Sequence, residues 1–185
     1  MVLRLFAALV PPAPVLDGVE HATAELRGGA LQGLRWVPRE NLHITLAFYG
    51  PVPDGALPDV VDALADRVAA TPPPTLHLSG AGAFSGRTLW LGVGGEVARL
   101  RDLMADAAAV LADERDDGPA RPHVTIARSG RRSRGLDLGR VVRALAVYRG
   151  PDWRAETVTL LSSHLGEGRG GAPRYEVEAE VPLGG

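Results

Sequence analysis

The chain has 185 residues, enough for one domain or two closely packed lobes, and 45% of them are hydrophobic, so a sizeable core can form. A formal net charge of −2 excludes a global field that recruits nucleic acid, and the absence of cysteine excludes a disulfide framework and a thiolate metal site. All 20 basic residues are arginine. A GC-rich genome accounts for that bias, but every basic contact is then a planar, permanently charged fork suited to phosphate.

The opening "MVLRLFAALVPPAPV" reads as a buried strand over Val2 to Leu9 and not as a signal peptide, because a Pro-Pro pair breaks its short apolar run. No stretch is long enough to span a membrane, so a cytoplasmic location and no membrane partner are expected. "VLDGVEHATAELRG" has helical apolar spacing, ending at Gly28 and Gly29. "LRWV" is a short strand closed by Pro38; "LHITLAFY" alternates as a strand, and Gly50-Pro51 is expected to stop it. "DGALPDVVDALADRVAA" is an amphipathic helix. "TLHLSGAGAF" and "RTLWLGV" form a strand pair joined around Ser85-Gly86. "EVARLRDLMADAAAVLADE" is a second strong helix, and "PHVTIAR" a strand. "GRRSRG" is a basic loop, "LGRVVRALAVY" a shorter helix, and "AETVTLLSSHL" and "RYEVEAEVPL" two closing strands. The order βαββα, ββα, βαββ, with short loops and sequential strand pairs, predicts an α+β fold with mainly antiparallel pairing.

Two stretches share a frame: "NLHITLAF" at Asn41 to Phe48 and "RPHVTIAR" at Arg121 to Arg128. Residues i and i+2 of a strand point to one face, roughly 6.5–7 Å apart. His43 and Thr45 therefore share a face, with Ile44 and Leu46 turned to the core, and His123 and Thr125 repeat this against Val124 and Ile126. Two such strands side by side set four donors around one phosphorus atom, an imidazole on either side. One neutral histidine can take a proton from the attacking water or hydroxyl and one protonated histidine can give a proton to the leaving oxygen. The threonine hydroxyls can stabilise charge on the phosphoryl oxygens, and no metal or cofactor is required. A single His-x-Thr-x is more often structural, but the repeat makes a shared site competitive with that reading. A zinc site would need a third ligand in an adjacent frame, and the sequence has neither H-x-x-x-H nor H-E-x-x-H.

These residues resemble the two-histidine (2H) phosphoesterase superfamily, marked by paired H-x-[ST]-x motifs. More closely, the chain is similar to bacterial and archaeal RNA 2′,3′-cyclic phosphodiesterases, once described as RNA 2′-5′ ligases. "RLFAALVPP", "RWVPRENLHITLAFYG", "RTLWLGV", "RPHVTIAR" and "LLSSHLGEGRGGAPRYEV" carry the similarity over nearly the whole chain. The resemblance implies two pseudo-symmetric lobes within a single bilobal domain over residues 1–185, with outer helices around a central cleft. It implies hydrolysis of a terminal RNA 2′,3′-cyclic phosphate to a 2′-phosphate, with 2′-5′ ligation as the reverse direction. By that analogy His43 is the acid on the departing 3′ oxygen, His123 the base that activates water, and Thr45, Thr125 and Arg128 hold the phosphate. The acid/base split is less firm than the pair, because coupled imidazoles share their titration. The expected partner is an RNA bearing such an end, tRNA fragments among them, and the expected state is a monomer.

The remaining candidates have two readings each. Tyr49 continues the His43 face by alternation, so it either stacks on a base or sugar or packs as a strand-end tyrosine beside the cleft. Arg131, Arg132 and Arg134 either grip RNA phosphates or form a solvated loop. His164 falls where the family pattern leads one to expect an apolar or aromatic residue; it either lines the cleft mouth or lies at the surface or behind the site. Strict alternation from His123 puts Arg128 on the core face, so it must escape at the strand's end, where twist and Ser129-Gly130 release it. Trp36 and Trp90 are expected in the core, His21 in solvent and His77 in a structural role. Two further functions compete: a phosphodiesterase acting on a small cyclic nucleotide or ADP-ribose cyclic phosphate, and a non-catalytic module that grips RNA ends.

Overall fold

The computed structural model describes residues 1–28, 33–111, 121–130 and 137–184. Nine strands form one curled, wholly antiparallel sheet: β1 (Val2–Leu9), β2 (Leu34–Trp36), β3 (Ile44–Pro53), β4 (Thr75–Phe84), β5 (Thr88–Gly95), β6 (His123–Ser129), β7 (Trp153–Arg154), β8 (Thr157–His164) and β9 (Arg174–Pro182). Among the described residues four α-helices accompany them: α1 (Ala13–Gly28), α2 (Leu57–Val68), α3 (Val97–Ala108) and α4 (Leu138–Ala144). The fold is α+β, as the element order predicted. The two-residue β7 is the strand that sequence reading missed; it pairs with the start of β4 through Thr75 and Leu76.

The strand order β7-β4-β5-β6-β3-β1-β8-β9 falls into two equal halves that meet at β6 and β3. Each half brings one His-x-Thr-x strand to the junction, with β5 behind β6 and β1 behind β3. The halves touch in register at one residue pair, Ile44 opposite Val124. Extending that register would set Leu46 opposite Pro122 and Ile126 opposite Leu42. Pro122 has no N–H to give, and the Ile126 carbonyl already accepts from Val37 at 2.9 Å. The strands therefore part on both sides of the junction. β2 takes the vacated edge of β6, with Leu34, Arg35 and Trp36 opposite Ser129, Arg128 and Ala127.

All four helices cover one face. Val15 and Val19 of α1, Val60, Leu64 and Val68 of α2, Leu100, Leu103 and Ala107 of α3, and Leu138 and Val141 of α4 join one core with Leu5, Leu9, Ile44, Leu76, Leu91, Val124 and Leu160 of the sheet. Each fully buried leucine contributes about 1.5–3 kcal/mol in apolar transfer. Among the described residues no helix covers the other face. It carries a small separate cluster of Phe6, Ala8 and Leu161, with Tyr175 packed against it.

β3 runs past Gly50-Pro51 to Pro53, pairing Pro51 with Arg4 and Pro53 with Val2. Beyond the junction only one edge of β3 is paired, so the missing proline donors face no neighbour. The β4–β5 hairpin turns through Ser85 and Gly86 at φ 50° and 61°, with Arg87 N–H donating to Phe84 C=O at 2.9 Å. Two positive φ values suit the right-handed twist of a hairpin, and this tip fixes Phe84 beside the second motif.

Candidate active site

The Ile44–Val124 pair decides the site. Residues opposite one another in an antiparallel pair share a face, so the same register directs His43 toward Thr125 and Thr45 toward His123, all on the open face. The two histidines stand on a diagonal of that square, roughly 7–8 Å apart at the backbone. A tetrahedral phosphate fits between two imidazoles so placed. Thus His43, Thr45, His123 and Thr125 come together through a contact between residues eighty positions apart.

Each imidazole is held in the same way. His43 Nδ1 lies 2.8 Å from the carbonyl of Asn41, and His123 Nδ1 lies 2.7 Å from the carbonyl of Arg121. A carbonyl only accepts, so each Nδ1 carries its hydrogen and donates. In the neutral ring this leaves the Nε2 lone pair to accept a proton; in the charged ring Nε2–H is the acid. The backbone two residues upstream thus sets the tautomer in both motifs. Asn41 is itself pinned, its Nδ2 donating to Pro173 C=O at 2.8 Å ahead of β9.

The walls are aromatic. His43 packs on Phe6 (ring centroids 5.1 Å) and edge-on against Tyr175 (5.4 Å). His123 meets Phe84 edge-on (4.9 Å) and lies near Trp90 (6.2 Å), over whose ring Arg121 stacks at 4.9 Å. Trp90 is buried as expected, but on the site's face, where it supports His123. Its ring lies across Gly82, where a side chain would collide with it.

The surroundings press unequally on His43. Burial, the largest cause, lowers its pKa; the Asn41 carbonyl opposes this, and the charges of His123 and Arg128 lower it further. Protonating His43 is therefore harder in the folded chain than in the unfolded one. It costs stability as pH falls below the ordinary imidazole value of 6.5, and nothing above it. In an NMR pH titration His43 should titrate below 6.5 in the free protein. Arg128→Ala should raise its midpoint by removing a like charge, and inorganic phosphate should raise it by adding an opposite one. A midpoint indifferent to Arg128 would place that guanidinium outside the site.

Arg128 reaches the open face by a different route from the one expected. Thr125 faces Trp90, Ala127 faces Leu89 and Arg128 faces Thr88, so Ile126 is an extra residue in β6. This β-bulge sends both Ile126 and Ala127 into the core and shifts the alternation by one. Arg128 then follows Thr125 onto the cleft side, near enough for its charge to act on both His43 and Tyr175. β3 does the same. Ala8 faces Thr45, Ala7 faces Ala47 and Phe6 faces Phe48, leaving Leu46 as the extra residue.

That second bulge corrects the expectation for Tyr49. Phe48, 77% exposed, takes the cleft face beside Phe6. Tyr49 turns to the core, donates to Ala107 C=O of α3 at 3.0 Å, and has its pKa raised by burial. It does not stack in the cleft.

His164 is also settled as lying away from the cleft. It alternates with Leu161 and Ser163, on the face of Leu5, and its Nε2 meets Glu176 at 2.9 Å and Ser162 Oγ at 3.2 Å. Both partners address the same nitrogen, Nε2. His21 is exposed, and His77 lies against Gly94 with Nδ1 3.0 Å from Asp152 at the sheet's outer edge. Arg131, Arg132 and Arg134 lie outside the described residues. Sequence reading missed Phe6, Phe48, Phe84, Arg121 and Tyr175. Aligning "NLHITLAFYG" on "RPHVTIARSG" would have found Phe48, which occupies the place of Arg128.

A curled antiparallel sheet with helices on one face and opposed histidines on the other is the architecture expected from the resemblance to the two-histidine phosphoesterase superfamily. A family model described as the 2′-5′ RNA ligase superfamily matches residues 11–167. An RNA 2′,3′-cyclic phosphodiesterase of Geobacillus stearothermophilus is 32% identical over 182 residues, covering 92% of this chain and 55% of that protein. One from Thermus thermophilus is 31% identical over 175 residues, covering 88% of this chain and 83% of that protein. The crystal structure of E. coli LigT in apo form superposes with a TM-score of 0.77 at 26% identity, covering 100% of this chain and 99% of that one. The chain belongs to the 2′-5′ RNA ligase superfamily. It spans just over half the length of the Geobacillus relative. Among the described residues no helix is long and apolar enough to cross a membrane.

Proposed function

We propose that the protein is a metal-independent phosphodiesterase that opens a terminal RNA 2′,3′-cyclic phosphate to a 2′-phosphate. The observation that carries this reading is the pair of imidazoles on one face, each with Nδ1–H committed to a carbonyl and with no hydrogen-bond partner at Nε2 among the described residues. The names of the Geobacillus and Thermus relatives support the substrate.

In this mechanism water attacks phosphorus as His123 Nε2 takes its proton. The bond from phosphorus to the 3′ oxygen breaks, and His43 Nε2–H supplies the proton to that oxygen. The 2′ bond stays, so the product is a 2′-phosphate and a free 3′ hydroxyl. The two histidines end with exchanged protonation and reset through solvent. Thr45 and Thr125 donate to the non-bridging oxygens, and Arg128 balances their charge. An acid with a lowered pKa releases its proton readily, and the arriving phosphate anion favours loading it. The protein would act as a cytoplasmic monomer on RNA ends, tRNA fragments among them. Ligation is the reverse at the same site, disfavoured in dilute RNA with water as solvent.

The test uses an oligonucleotide ending in a 2′,3′-cyclic phosphate, incubated with EDTA. Turnover should be unchanged by the chelator, and the product should carry its phosphate at the 2′ position. Loss of activity that zinc or magnesium restores would point to metal-assisted hydrolysis. A 3′-phosphate product would reverse the assignment of the leaving oxygen.

A further inference from the structure

Arg35 and Arg128 stand directly opposite each other on β2 and β6. Like charges in a cross-strand pair destabilise a sheet. Among the described residues neither has an ion pair with a carboxylate, whereas Arg99 and Arg149 each have one and Arg39 and Arg174 each have two. Arg35 is exposed and alternates with Leu34 and Trp36, which turn to the core. It therefore shares the open face with Arg128. Its Nε lies 3.7 Å from where a side chain on Gly130 would begin, so the guanidinium extends past the end of β6, away from the histidines. By strand rise, Arg128 is on the order of 10 Å along the sheet from the Ile44–Val124 junction. Arg128 can reach back to the reacting phosphate while Arg35 reaches outward. Two uncompensated guanidiniums in a row, leading away from a phosphate site, suit two successive phosphates of one strand.

We infer that Arg35 binds the phosphodiester that joins the terminal nucleotide to the rest of the RNA. This rests on the phosphodiesterase reading above and adds a determinant of substrate class. The opposite half of the cleft has Phe48 where this half has Arg128, so among the described residues the facing pair of guanidiniums lies on the β2–β6 side. A substrate with a second phosphate gains a contact there, and a cyclic mononucleoside phosphate gains none.

The experiment compares adenosine 2′,3′-cyclic phosphate, the same compound bearing a 5′-phosphate, and a dinucleotide ending in a cyclic phosphate. With Arg35→Ala, kcat/KM should fall about tenfold on the two substrates with a second phosphate, through KM. It should stay within about twofold on the first. Arg35→Lys should recover part of the loss, and the dinucleotide's dependence on log salt should flatten by about 0.7 of slope in Arg35→Ala. An equal loss on all three substrates, or no loss on the dinucleotide, would overturn the assignment of Arg35. Wild-type protein that hydrolyses none of the three would instead overturn the phosphodiesterase reading, and this inference with it.

Discussion

His43→Ala and His123→Ala should each lower turnover on a terminal 2′,3′-cyclic phosphate by about 10²–10⁴-fold. The reason is geometric. Both Nδ1–H groups are held by carbonyls two residues upstream, which leaves Nε2 of each ring as the atom for proton transfer, and the Ile44–Val124 pair puts both residues on one face. With one imidazole gone, either the attacking water keeps its proton or the 3′ oxygen leaves unprotonated. The double variant should lose far less than the product of the single losses, since the pair acts as a unit. His43 also packs on Phe6 and Tyr175, so a thermal melt of each variant must accompany the rates. His43→Gln, which refills part of the space without an acid or base of suitable pKa, separates packing from chemistry. Near-wild-type turnover in a folded single variant would end the two-histidine mechanism.

Arg128→Ala should cost about 10²–10³-fold in turnover, the scale of removing one preorganised group from developing charge. The loss should be alike for a cyclic mononucleotide and for a longer RNA, because the contact proposed for Arg128 is to the phosphate that both contain. Arg128→Lys should recover only part of it, since an ammonium lacks the planar fork. Steady-state rates on the two substrates make the check. A loss confined to the longer RNA would move Arg128 from the reacting phosphate to the chain beyond it. The prediction depends on the bulge at Ile126, which alone turns the Arg128 side chain away from the core.

The two bulges also mark the limit of what alternation can say. His43 with Thr45, and His123 with Thr125, share a face because the period of two is a local property of an extended backbone. The amphipathic helices and the Ser85-Gly86 turn are local in the same sense, although α4 ends at Ala144, short of the expected Tyr148, and residues 112–114 of the helix expected after Glu96 lie outside the described residues. Counting onward by twos placed Tyr49 in the cleft and Arg128 in the core. Both positions are inverted, because Leu46 and Ile126 are extra residues measured against β1 and β5. A bulge is a mismatch between partners, and the partner strands lie far away in sequence.

The sequence by itself determined the chemistry on offer: two His-x-Thr-x frames, each on an apolar strand, in a chain whose basic residues are all arginine. Its helical and strand periods also determined the α+β class. Only the tertiary structure decided that the two frames meet, since Ile44 opposite Val124 is a pairing between strands eighty residues apart. It likewise decided that Phe48 and Arg128 take equivalent places on opposite halves of the cleft, and that Arg35 stands beside Arg128. Pairing register is set by the burial of both faces of both strands together, and no single stretch of sequence contains that information.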